Sequence, residues 1–205
     1  YGAGTTGQQA FSVAIGNEAG QNGQGQHSVA VGYQAGRNSS GVTGIVAVGS
    51  SALAANTTGT QNTAVGYQAL SANTTPNFNT AVGYQTLLVS NGGAHNTAIG
   101  ASVLQALNSG VGDNNTSVGS FSMQSATSAR QNTAIGQGAL QNLLASTGNT
   151  VAGYSAMINA TSGASNVIIG INSAQGSTGL NSCVIIGGDS SSGTGRYVQS
   201  DNIIA

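Results

Sequence analysis

The sequence predicts an all-β protein, a parallel β-solenoid of about eleven coils with about 17 residues in each coil. Three observations support this prediction. A short motif that ends in Gly recurs along the whole chain, apolar residues recur at fixed distances from that Gly, and the period is too short for a helix–turn–helix repeat. The composition does not shift along the chain, so we expect residues 1–205 to form a single repeat array that belongs to a longer protein.

The repeated motif is typified by Asn62-Thr63-Ala64-Val65-Gly66. Successive motif Gly residues are 16, 17, 17, 17, 17, 19, 17, 17, 17 and 17 residues apart. This regular interval predicts that each copy starts one coil, and that equivalent residues stack in columns along the solenoid. The motif Gly residues are Gly16, Gly32, Gly49, Gly66, Gly83, Gly100, Gly119, Gly136, Gly153, Gly170 and Gly187.

Within the motif, the pattern is that of a short strand. Thr63 and Val65 share one face and Ala64 takes the other. Val or Ile precedes the Gly in ten of the eleven copies, and we expect this column to be a buried line of stacked side chains. We therefore predict that Val65 pairs with Val82 in the next coil.

Two further columns follow the Gly. Leu or Met lies four residues after it, as at Leu70 and Met123, beside a column of Ala that includes Ala69. A helical turn is one interpretation of this segment, but the period leaves little room for a helix. We expect a strand and a corner here, which gives two short strands and two turns in each coil.

An Asn column gives the most specific structural signal. Stacked Asn amides can form hydrogen bonds from coil to coil at the β-strand spacing of about 4.8 Å, and Asn tolerates the backbone of a corner. We favour a structural ladder over a ligand-binding one. Its members are Asn62, Asn79, Asn96, Asn115, Asn132, Asn149 and Asn166.

Charge and composition exclude several functions. The chain has only seven charged residues, no Lys, one Cys and a formal net charge of -1. Nucleic-acid binding needs clustered cations, so we expect none. We also expect no membrane span in this segment, no metal, no cofactor and no enzymatic activity, because Cys–His clusters, a phosphate-binding loop and paired carboxylates are missing from the sequence.

The motifs resemble those of a known group of surface proteins. Ser12-Val13-Ala14-Ile15-Gly16 is similar to the YadA-like head repeat of trimeric autotransporter adhesins, and Asn62–Leu70 is similar to repeats of bacteriophage tail fibres. The resemblance covers nearly the whole chain. It implies a left-handed parallel β-roll, three chains in each fibre, and a role in attachment. The chain would then be a segment of an adhesin or virion fibre that is extracellular, at a cell surface or on a virion.

A homotrimer also has a physical argument. A thin roll of small apolar residues cannot bury all its faces by stacking in one dimension, and we expect side-by-side association to cover a remaining Ala-rich face. A receptor or glycan on a host surface is the other expected partner. The candidate receptor contacts are Tyr33, Tyr67, Tyr84 and Tyr154, which all directly follow a motif Gly. The alternative for these Tyr residues is a structural role at a corner or between subunits.

A column of Thr supports a second function, ice binding. Thr63, Thr80, Thr97, Thr116, Thr133 and Thr150 share one position, and regular Thr ladders on flat solenoids occur in ice-binding proteins. The same position carries Val in five other copies, and this exchange is typical of a partly buried site. We therefore favour the fibre.

One coil is two residues longer than the others, and we expect its extra residues to form an outer loop at Gly110–Asp113.

Overall fold

The computed structural model describes residues 2–107, 112–188 and 197–199. Within these ranges the protein is all-β, without a helix, and forms a parallel β-solenoid of about ten coils at a spacing of about 17 residues. The strands are β1 (Val13–Ile15), β2 (Val29–Val31), β3 (Val46–Val48), β4 (Thr63–Val65), β5 (Thr80–Val82), β6 (Thr97–Ile99), β7 (Thr116–Val118), β8 (Thr133–Ile135), β9 (Thr150–Ala152), β10 (Ser162–Ala164), β11 (Val167–Ile169), β12 (Gly179–Asn181), β13 (Cys183–Ile186) and β14 (Tyr197–Gln199).

The motif strands form one sheet in the order β1-β2-β3-β4-β5-β6-β7-β8-β9-β11-β13-β14. Neighbours pair parallel and in register, except that β14 runs antiparallel to β13. Val65 pairs with Val82 and Val82 with Ile99, so the expected pairing is confirmed. Equivalent residues of successive coils therefore lie directly above one another, about 4.8 Å apart.

The prediction of a second strand in each coil is wrong for most of the described chain. Among the described residues, only β10 and β12 form a second, two-stranded parallel sheet, and isolated parallel bridges join Arg130 to Thr147 and Thr147 to Ala164. In the other coils the segment after the motif Gly is a series of turns: Ala69 N–H donates to Gly66 O, whereas Leu70 N–H reaches Thr86 O in the next coil. A strand is excluded because Ala69 and Leu70 are adjacent and both fully buried, and adjacent strand residues face opposite ways.

Left-handed backbone conformations make this double burial possible. Gln68 and Leu70 have φ values of 54° and 51°, and the equivalent residues of other coils repeat them. Ala69 between them closes a turn. The result is a core of two lines, the strand Ala column facing the Leu and Met column, with Ala64, Leu70 and Met123 all fully buried.

The column of Val and Ile before the motif Gly is not buried in the single chain, contrary to expectation. Ile15, Ile99, Ile135, Ile169 and Ile186 are between 40% and 64% exposed. Each motif strand turns one residue inward. In most strands that residue is small, like Ala64, because the Leu column already fills much of the narrow interior, whereas β9, β11 and β13 have Val151, Ile168 and Ile185 there. The Ala residues form the core, and the face left over carries Thr, Val and Ile.

The enlarged coil is described only in part. Residues 108–111, which include half of the expected loop, lie outside the described residues, as does the truncated motif copy at 202–205. Asp113 Oδ1 accepts a hydrogen bond of 2.7 Å from Ala94 N–H in the preceding coil. Thr97 still pairs with Thr116 across the insertion, so the sheet register is the same on both sides.

The motif Gly is required by both conformation and space. Gly83 has a φ of 134°, and a Cβ there would overlap the carbonyl oxygen of Gly100. We expect Gly83→Ala to lower the free energy of unfolding by at least about 3 kcal/mol, since left-handed strain and a backbone clash add. Chemical denaturation followed by circular dichroism measures the change.

Gly148→Asn is the matched control. Gly148 has a φ of 71°, and the nearest atom to its Cβ position is Ser165 Oγ at 3.8 Å. Its column holds non-Gly residues at similar φ, such as Phe78 and His95 at 59°. We expect a change below about 1 kcal/mol. Equal losses in the two variants would contradict the steric role of the motif Gly.

Candidate functional site

The Asn column lies buried at the start of each motif strand. All seven of its members are at most 1% exposed. The backbone N–H of each following Asn donates to Oδ1 of the Asn one coil before it, over 2.9–3.1 Å from Asn79 to Asn166. Cys183 takes the next position, and its N–H donates to Asn166 Oδ1 at 3.0 Å.

From Asn96 onward, each side-chain amide also donates hydrogen bonds in both directions along the solenoid. Asn132 Nδ2 donates to Asn115 Oδ1 in the preceding coil, at 3.2 Å, and to Ser146 O in the following coil, at 3.0 Å. Its Oδ1 accepts from N and Nδ2 of Asn149 at 3.0 and 2.9 Å. Both donors and both acceptor sites of the amide are thus used within the protein. No hydrogen-bonding group of this side chain is left for a ligand.

A second amide ladder runs along the surface. Gln85 Nε2 donates to Gln68 Oε1 at 2.8 Å, and Gln105, Gln124 and Gln141 continue the series at 3.1–3.3 Å. At the start of the chain Gln34 Nε2 donates to Glu18 Oε2 at 2.7 Å. The ladder has the same direction throughout, since the later coil donates to the earlier one.

The four Tyr residues after the motif Gly are about half exposed. Tyr67 and Tyr84 occupy adjacent coils, and their rings stack with centroids 5.6 Å apart and planes 12° from parallel. Tyr33 lies two coils before Tyr67, with Ser50 between them, and Tyr154 is alone in its part of the column. The structure thus brings together two of the four candidate contacts.

A second set of aromatic stacks lies at the residue before the Asn column. Phe11 stacks on His27 and Phe78 on His95, with centroids 5.3 and 4.8 Å apart. All four residues are exposed. Sequence reasoning missed these pairs, although the 16- or 17-residue separation of Phe and His was the signal that could have revealed them.

The Thr column and the column of Val and Ile together form an outward strip, called here the outer strip. Its residues are half-buried or exposed in the single chain, and they lie two apart on the same face of each strand. The strip runs from β1 to β13 without a break in the parallel pairing. Large hydrophobic side chains exposed on it include Val13, Ile15, Ile99, Ile135, Val167, Ile169 and Ile186.

In the described part of the chain, no group of three or more His, Cys, Asp or Glu side chains could hold a metal ion. None of the elements described is a helix long and apolar enough to cross a membrane. Compared with protein-family models, with curated proteins and with solved structures, the chain matches none of them.

The Asn ladder gives a direct test. Asn132→Ala removes two donors and two acceptor sites from a buried position, so we expect a loss of about 3–5 kcal/mol in the free energy of unfolding. Urea denaturation measures it. Asn142→Ala, the same change at an exposed position, should cost less than about 0.5 kcal/mol. A small loss at Asn132 would show that the ladder contributes little.

Proposed function

We propose that the chain is a non-enzymatic structural segment of a trimeric extracellular attachment fibre. The outer strip is the observation that carries this proposal. Its ten coil-to-coil steps give a length of about 48 Å, and its two columns give an area on the order of 600 Å². This is at the upper end for apolar patches on monomeric proteins, and larger patches mark interaction surfaces.

A second copy of the same chain is the occupant that fits this strip best. The strip is straight and repeats every coil, so a partner must be apolar and repeat at the same spacing over the same length. Another copy meets both conditions when the symmetry axis is parallel to the stacking direction. The resemblance to adhesin heads and tail fibres implies that three chains associate and that each chain forms a left-handed roll.

Such an assembly acts mechanically. Continuous backbone hydrogen bonding along each chain and apolar contact between chains make a stiff rod, which projects an attachment tip or presents a receptor-binding face. The partner outside the fibre is a host receptor or a glycan. The location is outside the cell, at a cell surface or on a virion.

Substitutions in the outer strip test the assembly. Light scattering at micromolar concentration should give three times the chain mass of 19.9 kDa. Ile99→Asp with Ile135→Asp should reduce the mass to that of one chain, because a buried charge without a partner is strongly unfavourable. These residues are 40% and 48% exposed in the single chain, so the fold of the chain should persist.

Thr58→Asp is the control, since Thr58 is exposed but lies outside the motif strand. It should leave the trimer intact. A wild-type protein that remains a stable monomer would contradict the fibre proposal.

Ice binding is the second candidate, and the outward orientation of the Thr column favours it. Thr63, Thr80 and Thr97 pair in register on the outer face, where a regular array of hydroxyl and methyl groups faces solvent in a single chain. If the protein is a monomer that produces thermal hysteresis, and if Thr97→Lys abolishes that hysteresis, the results would support ice binding. Absence of thermal hysteresis would exclude it.

A further inference from the structure

The Tyr and Gln columns are both interrupted in the same coil. Tyr33-Gln34 and Tyr67-Gln68 occupy the two positions after Gly32 and Gly66, but the coil between them has Ser50-Ser51. The backbone keeps these positions in register: Ser51 N–H donates to Tyr33 O at 2.8 Å, and Gln68 N–H donates to Ser50 O at 2.9 Å. Ser50 therefore lies between two Tyr positions, and Ser51 lies between two Gln positions. We call this gap the notch.

The height of the notch follows from the coil spacing. Two coils separate Tyr33 from Tyr67, so the backbone positions that carry the two rings lie about 9.6 Å apart along the solenoid. A flat aromatic guest in van der Waals contact with both rings would need only about 7 Å, at about 3.5 Å for each face. A saturated six-membered ring is thicker, because axial C–H bonds project from both of its faces. The notch has the height for such a ring.

Polar groups lie beside the notch. Gln34 Nε2 donates to Glu18 in the preceding coil, and Gln68 Oε1 accepts from Gln85 in the following coil. In both side chains, the atom that forms this hydrogen bond is therefore directed away from the coil of Ser51. In the described part of the chain, Gln34 Oε1 and Gln68 Nε2 have no hydrogen-bond partner. The notch thus has a free acceptor on one side, a free donor on the other, and two serine hydroxyls at its base.

We propose that the notch binds one pyranose ring of the β-gluco configuration, sandwiched between Tyr33 and Tyr67. This sugar has all its hydroxyl groups equatorial, so both of its faces present axial C–H groups to the Tyr rings. Its equatorial hydroxyl groups point sideways, where the amides of Gln34 and Gln68 and the hydroxyls of Ser50 and Ser51 lie. A galacto-configured ring would place its axial O4 against one aromatic face. The proposal rests on the attachment function, for which it names the ligand class.

Binding is tested with methyl β-glucopyranoside and methyl β-galactopyranoside as probes, by saturation-transfer NMR and by titration of the Tyr ring resonances. The glucoside should bind with a dissociation constant on the order of a millimolar, which is usual for a ligand of this size. The galactoside should bind at least tenfold more weakly. Equal binding of the two sugars, or of p-cresol and the glucoside, would overturn the proposal.

Filling the notch provides the sharpest variant. Ser50→Tyr adds a third ring between the two walls, and should abolish glucoside binding while the melting temperature is kept or raised. Ala101→Tyr is the matched control: it adds a ring to the same column beyond Tyr84, outside the notch, and should leave binding unchanged. Retained binding in Ser50→Tyr would place the sugar elsewhere and overturn the proposal.

Two further variants remain informative if Ser50→Tyr fails to fold. Tyr67→Ser removes one wall and should weaken glucoside binding at least tenfold, whereas Tyr154→Ser removes a Tyr that is far from the notch and should not. Light scattering on each sample separates the two proposals. A trimer that binds no glucoside refutes the notch alone, and a monomer that binds the glucoside refutes the trimer alone.

Discussion

Hydrogen bonding from coil to coil is the constraint on which the other features depend. It stacks each repeat position on its own copies about 4.8 Å away, so a residue type can be repeated only if it tolerates itself as a neighbour. Ala and Leu do so by packing, Asn and Gln by hydrogen bonding, and Tyr by ring stacking. A repeated charge would cost about 1 kcal/mol for each pair even in water. This accounts for the seven charged residues in 205.

The core requires an unusual backbone. Leu70 and its equivalents adopt φ values of 47–53°, where an ordinary side chain is disfavoured by about 1–2 kcal/mol. Burial of a Leu side chain contributes about 1.5–3 kcal/mol, so it offsets the strain. The left-handed residue turns Leu70 inward next to Ala69, and this doubles the inward side chains that a short segment can supply. Backbone strain in each coil, at Gln68 as well as at Leu70, is therefore the condition for a core in so thin a protein.

Much of this fold could be predicted from periodicity alone. The motif spacing predicted the parallel pairing of Val65 with Val82, and the recurrence of Leu and Met four residues after the motif Gly identified a second apolar column. The inward face of the strand could not be deduced, because Thr63, Ala64 and Val65 allow either face to be apolar. The turns after the motif Gly were missed because no sequence rule expects a left-handed Leu.

The candidate site shows the same limit. Equal spacing placed Tyr67 beside Tyr84, but the notch depends on an interruption of the column at Ser50 rather than on its repetition. Periodicity identifies what all coils share, and it passes over the one coil that differs. The exchange of Thr and Val at one position was also ambiguous, since the pattern fits both a covered face and a solvent-facing one.

The common direction of the two amide ladders gives the solenoid an electrical polarity. Strand backbone dipoles largely cancel in a sheet, whereas in every amide-to-amide hydrogen bond of these two ladders the later coil donates and the earlier coil accepts. Aligned dipoles polarise one another, so each added coil strengthens those already present. The polarity is therefore confined to the coils that the ladders span, and the Asn ladder ends where Cys183 N–H donates to Asn166 Oδ1.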